Sequence, residues 1–173
     1  MDVQLCDVAM TDTVGIATML TRSQTENFRI ISQLWKRFNR ELHAISNRPR
    51  SSNGWEKFGI TYPLDGGYGY LAAIPDAPAM YVPEQMRRKT IPAGQYARFT
   101  HTGPMYHLKS TIHAIYTTHL PALERHRPTP EDAGLFHFER YDARFHWNRA
   151  DSCIDVFVPL TRSPAQIGVD IHD

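Results

Sequence analysis

Two kinds of side chain in this 173-residue sequence have the types and spacing to do chemistry: strand carboxylates and paired aromatic rings. In Gly134-Leu-Phe-His-Phe-Glu-Arg-Tyr141, Glu139 and Tyr141 alternate with Phe136, Phe138 and Arg140, so a strand would set an acid and a phenol on one face. A carboxylate tuned by burial beside a phenol can move a proton, provided its target lies within hydrogen-bond reach. An ordinary cross-strand pair has the same spacing, and the residues leave both readings open. In Cys153-Ile-Asp-Val-Phe-Val-Pro159, the period of two puts Asp155 and Phe157 on one face and Ile154, Val156 and Val158 on the other. The aliphatic face is expected to pack on helices and to turn Asp155 toward a cleft. There desolvation would raise its pKa and a bound cation would lower it again. A solvated strand aspartate fits the pattern equally. Tyr68 and Tyr70 also share a parity. Aromatic faces hold flat or cationic organic molecules by dispersion and cation–π contact, worth about 0.5–2 kcal/mol each, although core tyrosines are spaced alike. Trp35, on a helical stripe, and Trp55, after a polar loop, complete the aromatic candidates.

Other chemistries lack their residues. His107, His113 and His119 recur at a spacing that places successive rings on opposed sides of a helix. The sequence holds no His-Glu-x-x-His, Gly-x-Ser-x-Gly, phosphate loop or dinucleotide fingerprint, so no metal and no cofactor are expected. Cys6 and Cys153 have no zinc spacing and read as reduced thiols of a cytoplasmic protein. Nineteen basic against eighteen acidic residues give a net charge of +1, which supplies no field to draw in nucleic acid. No apolar run approaches the ~20 residues of a membrane helix. The basic loop with Arg48, Arg50 and Lys57 reads as solvated surface.

The elements that must hold the candidates follow from periodicity. Val3 to Met19 suggests an initial strand, bulged or broken by a turn. Phe28, Ile31, Leu34, Trp35, Phe38, Leu42 and Ile45 form a helical stripe, with Ser23 or Thr25 as cap. After the polar loop 46–54, strands Lys57–Tyr62 and Tyr68–Ile74 flank a turn at Pro63–Gly67. Beyond the proline-rich stretch Pro75–Pro83, the order begins again: Arg88–Ile91, a turn at Pro92-Ala-Gly94, and Gln95–Thr100. A helix from Met105 to Leu120, bounded by Gly103-Pro104 and Pro121, and strands Gly134–Tyr141 and Cys153–Leu160 complete it. The sequence therefore predicts a single α+β domain over 1–173, with pseudo-symmetric halves at about 1–75 and 84–162. Its duplicated β-α-β-β units would form a curved antiparallel sheet with two helices on one face and a ligand cleft on the other.

The second half carries a family pattern: Thr90-Ile-Pro-Ala-Gly-Gln-Tyr-Ala-Arg-Phe-Thr-His-Thr-Gly-Pro104, then Ile115-Tyr116, Leu120-Pro121 and Phe138-Glu-Arg-Tyr-Asp142. In the first half, Val14-Gly-Ile-Ala-Thr18, Leu34-Trp35 and Tyr68-Gly-Tyr-Leu-Ala-Ala73 occupy corresponding places. Together they resemble the GyrI-like family, which includes effector-binding domains of AraC-type and MerR-type transcription activators, gyrase inhibitory proteins and stand-alone members. The resemblance implies a stand-alone, cytoplasmic domain without a DNA-binding module, binding small hydrophobic, cationic organic molecules. The family's last strand commonly reads Glu-x-x-x-Pro, with that glutamate at the floor of the cleft. The aligned residue is Asp155, one methylene shorter. The implied site is floored by Asp155 and walled by Tyr68, Tyr70, Glu139, Tyr141 and Phe157, with Trp35 and Trp55 beside it. Some stand-alone members resemble hydrolases of strained cytotoxins, which would make Glu139, Tyr141 or Asp155 catalytic. Inhibition of a protein partner such as DNA gyrase is the third expectation.

Overall fold

The computed structural model describes residues 1–48 and 55–161, within which eight strands form one curled antiparallel sheet. Arg50 and most of the polar loop lie outside the described residues. The first half comprises β1 (Val3–Val8), β2 (Thr11–Leu20), α1 (Gln24–Glu41), β3 (Lys57–Leu64) and β4 (Gly67–Pro75). The second comprises β5 (Arg87–Ile91), β6 (Gly94–Thr102), α2 (Leu108–Ala114), α3 (Leu120–Ala122), α4 (Pro130–Ala133), β7 (His137–Tyr141) and β8 (Cys153–Pro159).

Across the sheet the order is β1-β6-β8-β7-β3-β4-β2-β5. Exchanging β1 through β4 for β5 through β8 returns the same order reversed, so a pseudo-twofold axis runs between β3 and β7. The initial strand of each half is in fact two strands, and the first of them crosses over: β1 pairs with β6, and β5 with β2. A period of two reveals a strand but not its partner, which is why this exchange was invisible in the sequence.

Ser23 starts α1, its hydroxyl accepting the Glu26 N–H at 3.3 Å. The stripe from Leu34 to Ile45 packs on Val14 and Ile16 of β2 and on Tyr70, Ala72 and Ile74 of β4. The second helical segment opens as a 3-10 turn at Met105–His107, runs through α2, widens to a π-helix at Ile115–His119, and closes with α3. Pro121 therefore lies inside the helical segment, not after it. It has no N–H to offer Thr117, and just before it Leu120 donates to the Ile115 carbonyl in the wider π pattern. Leu108, Ile115 and Leu120 pack on Phe99 of β6 and on Ile154, Val156 and Val158, the aliphatic face of β8.

Both helices thus cover one sheet face. The other face, where the sequence led us to expect the cleft, is filled by Phe58, Ile60, Leu71, Tyr96, Phe138 and Phe157. Phe138 and Phe157 stack there with centroids 4.6 Å apart. Nine aromatic and aliphatic side chains meet on this face as the sheet curls, and they close on one another.

Candidate ligand-binding site

The centre of the helix-bearing face is β7, hydrogen-bonded to β3 on one side and β8 on the other. Glu139 projects there opposite Gly59 of β3. A Cβ on residue 59 would stand 2.1 Å from the Tyr70 hydroxyl and 2.6 Å from Glu139 Oε2. Glycine leaves the gap through which Tyr70, from β4, reaches across β3 to the acid. Tyr70 donates to Glu139 Oε2 at 2.9 Å, and Tyr141 donates to the same oxygen at 2.5 Å. Trp35 of α1 donates its indole N–H to the Tyr70 hydroxyl at 3.0 Å. One carboxylate oxygen is therefore held by two phenols, one of which is itself held by a helix.

Glu139 is buried. Burial pushes its pKa up to about 6, and the hydrogen bonds from Tyr141 and Tyr70 pull only part of that back. Burial and the facing carboxylate raise both phenols well above the ordinary tyrosine value, so they remain donors. At neutral pH the site presents an anion in a largely apolar wall.

That wall belongs to a cleft between α1 and α2. Its larger lobe, about 560 Å³, is lined by Phe28, Ile31, Trp35, Tyr116, Glu139 and Trp147 among others. A smaller lobe of about 210 Å³ is lined by Trp35, Trp55, Lys57, Tyr141, Phe145 and Trp147. Ser32, Trp35, Met105 and Trp147 line both, so the lobes adjoin. Tyr116, on the π-helical turn, is fixed by contacts of its hydroxyl with His137 Nδ1 at 2.8 Å and the Phe136 carbonyl at 3.2 Å. His137 is buried, and burial lowers its pKa to about 4, leaving the ring neutral at physiological pH.

The structure gathers Glu139, Tyr141, Trp35 and Trp55 around the cleft, with Tyr70 one layer beneath as the support of the acid. Tyr68 instead packs edge-on against Phe136, and neither lobe includes it in its lining. Asp155 and Phe157 lie on the opposite sheet face. Phe157 is core, and Asp155 is saturated: it accepts from Thr100 at 2.7 Å, from Arg140 at 2.8 Å and from Arg144 at 2.6 Å. Burial works to raise its pKa, but the hydrogen bonds from Thr100, Arg144 and Arg140 outweigh it and hold the carboxyl below the ordinary aspartate value. Parity identified the face of Asp155 correctly; the cleft is on the other one. The Asp155→Asn variant is accordingly expected to lose about 1–2 kcal/mol of stability, since both guanidiniums remain partly solvated. Urea denaturation would measure that loss, and ligand affinity in the cleft should be unmoved.

Sequence reasoning missed Phe28, Tyr116, Phe145 and Trp147. The first two belong to helical stripes that read as core, while Phe145 and Trp147 fall in the aperiodic β7–β8 connection. Among the described residues no group of three His, Cys, Asp or Glu side chains is placed to hold a metal ion. Nor is any helix there long and apolar enough to cross a membrane.

The family described as Cass2, integron-associated effector binding protein, matches residues 8–160. The transcriptional regulator BrlR of Pseudomonas aeruginosa is 34% identical over 133 residues, 75% of this chain and 46% of that protein, so the chain spans about half the length of this relative. Among solved structures, SAV2435 bound to tetraphenylphosphonium superposes with a TM-score of 0.69 at 16% identity, covering 99% of this chain and 100% of that one. The EcmrR C-terminal domain gives 0.63 at 12% identity, covering 94% and 98%. The integron cassette protein VCH_CASS2 of Vibrio cholerae gives 0.58 at 15%, covering 92% and 95%. At such identities these likenesses carry the fold.

Proposed function

The chain belongs to the integron-associated effector-binding family and has a GyrI-like fold, and from that premise we propose that it binds lipophilic organic cations in the α1–α2 cleft, with Glu139 as their counter-charge. One observation carries this reading: a buried carboxylate lines an aromatic cavity and, among the described residues, is held by neutral hydroxyl donors rather than by a cation. An anion placed so is electrostatically unpaired until a ligand supplies the positive charge. The rings of Phe28, Trp35, Tyr116 and Trp147 offer dispersion and cation–π contact to the same ligand. Lys109 and His113 also line the larger lobe, but both are exposed, so solvent screens them. SAV2435, a structural neighbour, was solved bound to a cation of this class, tetraphenylphosphonium.

The test compares tetraphenylphosphonium with the isosteric anion tetraphenylborate, following tryptophan fluorescence, since Trp35, Trp55 and Trp147 all line the cleft. Quenching by the cation at concentrations where the anion does nothing is expected. Equal response to both would remove Glu139 from the explanation. Hydrolysis of an electrophile by the same carboxylate would announce itself as product accumulating with time. An inhibitor of a protein partner would show no response to either ion.

A further inference from the structure

The two lobes of the cleft differ in charge. The larger sets the buried Glu139 beside the exposed Lys109 and His113, whereas the smaller is lined, among the described residues, by Lys36, Lys57 and Asn39 and by no carboxylate. Lys57 and Glu139 share a sheet face, because Lys57 pairs with Tyr141 and Gly59 with Glu139 across the β3–β7 register. Such diagonal neighbours are about 7–8 Å apart at the backbone. They nevertheless form no ion pair with each other. The Lys57 ammonium lies 5.1 Å from the centre of the Trp55 ring and donates to Asn39 Oδ1 at 2.5 Å, on the C-terminal half of α1. Glu139 lines the larger lobe and is tied through Tyr70 to Trp35 of the same helix.

Among the described residues Lys57 makes no ion pair. Its sequence neighbour Glu56 precedes β3 and has Arg140 and Asp142 as its charged neighbours. Burial lowers the Lys57 pKa, with Arg48 adding to the effect. Among the described residues, a half-buried ammonium held by one amide oxygen and a ring face is thus as short of a counter-ion as Glu139 is, in the adjoining lobe.

Resting on the cation-binding reading of Glu139, we propose that Lys57 forms an anion subsite, so that the preferred ligand is an aromatic cation that also carries an anionic arm. The cationic centre sits at Glu139, the aromatic body crosses the shared wall of Trp35 and Trp147, and the anionic group reaches the Lys57 ammonium beside Trp55.

Carboxybutyl(triphenyl)phosphonium and its methyl ester test this, because they differ in the charge of the arm and otherwise by a single methyl group. In calorimetric titrations of the full chain, the acid is expected to bind about five- to tenfold tighter than the ester, the scale of one partly solvated charge-assisted contact. Lys57→Met should bring that ratio to one or below, and Lys57→Arg should keep it, with melting curves confirming that both variants fold. A ratio indifferent to Lys57→Met, or an acid no tighter than its ester in the parent protein, would overturn the proposal. If neither phosphonium binds, the cation reading is what fails. Enhancement of anilinonaphthalenesulfonate fluorescence then reports on the anion subsite alone: a signal lost in Lys57→Met retains that subsite, and a signal indifferent to the substitution removes it too.

Discussion

Glu139→Gln is expected to weaken tetraphenylphosphonium binding on the order of 100-fold while leaving the cleft intact. The substitution keeps the shape and an acceptor for Tyr70 and Tyr141, and removes only the charge. A unit charge pair about 4–5 Å apart in a medium of effective dielectric near 20 is worth about 3–4 kcal/mol, from which the desolvation of the ligand is subtracted. The variant should also lose the pH dependence of the parent. Glu139 is raised to about 6 in the free protein, so cation affinity should be flat above pH 7 and fall about tenfold per unit below pH 6, as a proton competes for the carboxylate. Calorimetry between pH 5 and pH 8 measures both effects, and an equally steep profile in Glu139→Gln would place the titrating group elsewhere.

Stability should move the other way. A group whose folded pKa lies above its unfolded value contributes stability that is full at acid pH and lost as the pH rises through the folded value. Ionised Glu139 therefore costs the ligand-free protein roughly 2 kcal/mol at neutral pH. Glu139→Gln escapes that cost. It should melt about 4–8 °C above the parent at pH 8, with the difference vanishing at acid pH. A variant that binds worse and folds better is the signature of a charge kept for a ligand.

The pairing of Glu139 with Tyr141 was legible because a period of two needs only their own strand. So was the stripe of α1, including Trp35. The position of the cleft was not, because parity sorts residues onto faces without saying which face stays open. Asp155 illustrates this. Its side was read correctly, but its partners Arg140 and Arg144 lie 15 and 11 residues away in sequence, and nothing in the chain announces that they converge on it. The floor of the site is instead an acid whose supports, Tyr70 and Trp35, come from β4 and α1. That arrangement exists only once β3 and β7 are side by side at the pseudo-twofold axis.

Gly59, on the strand between Glu139 and Tyr70, should be the least replaceable residue of the site that touches no ligand. In Gly59→Ala the added methyl meets the Tyr70 hydroxyl at 2.1 Å, its Cζ at 2.8 Å and Glu139 Oε2 at 2.6 Å, all closer than van der Waals contact allows. Tyr70 is fully enclosed and bonded at both ends of its hydroxyl, so it has nowhere to retreat without breaking the bonds to Trp35 and Glu139. Overpacking of this kind costs about 1–3 kcal/mol, and the lost hydrogen bonds add about 1 kcal/mol each. Urea unfolding should register a total of roughly 3–5 kcal/mol, together with loss of cation binding as Glu139 is displaced. The mechanism is separable from a general intolerance of β3. Because the nearest atom is the hydroxyl, Tyr70→Phe should partly rescue Gly59→Ala, and a double-mutant cycle should return a favourable coupling of about 1–2 kcal/mol. Additive losses would mean that the methyl is resisted by the backbone around it, and that the glycine serves the sheet rather than the acid.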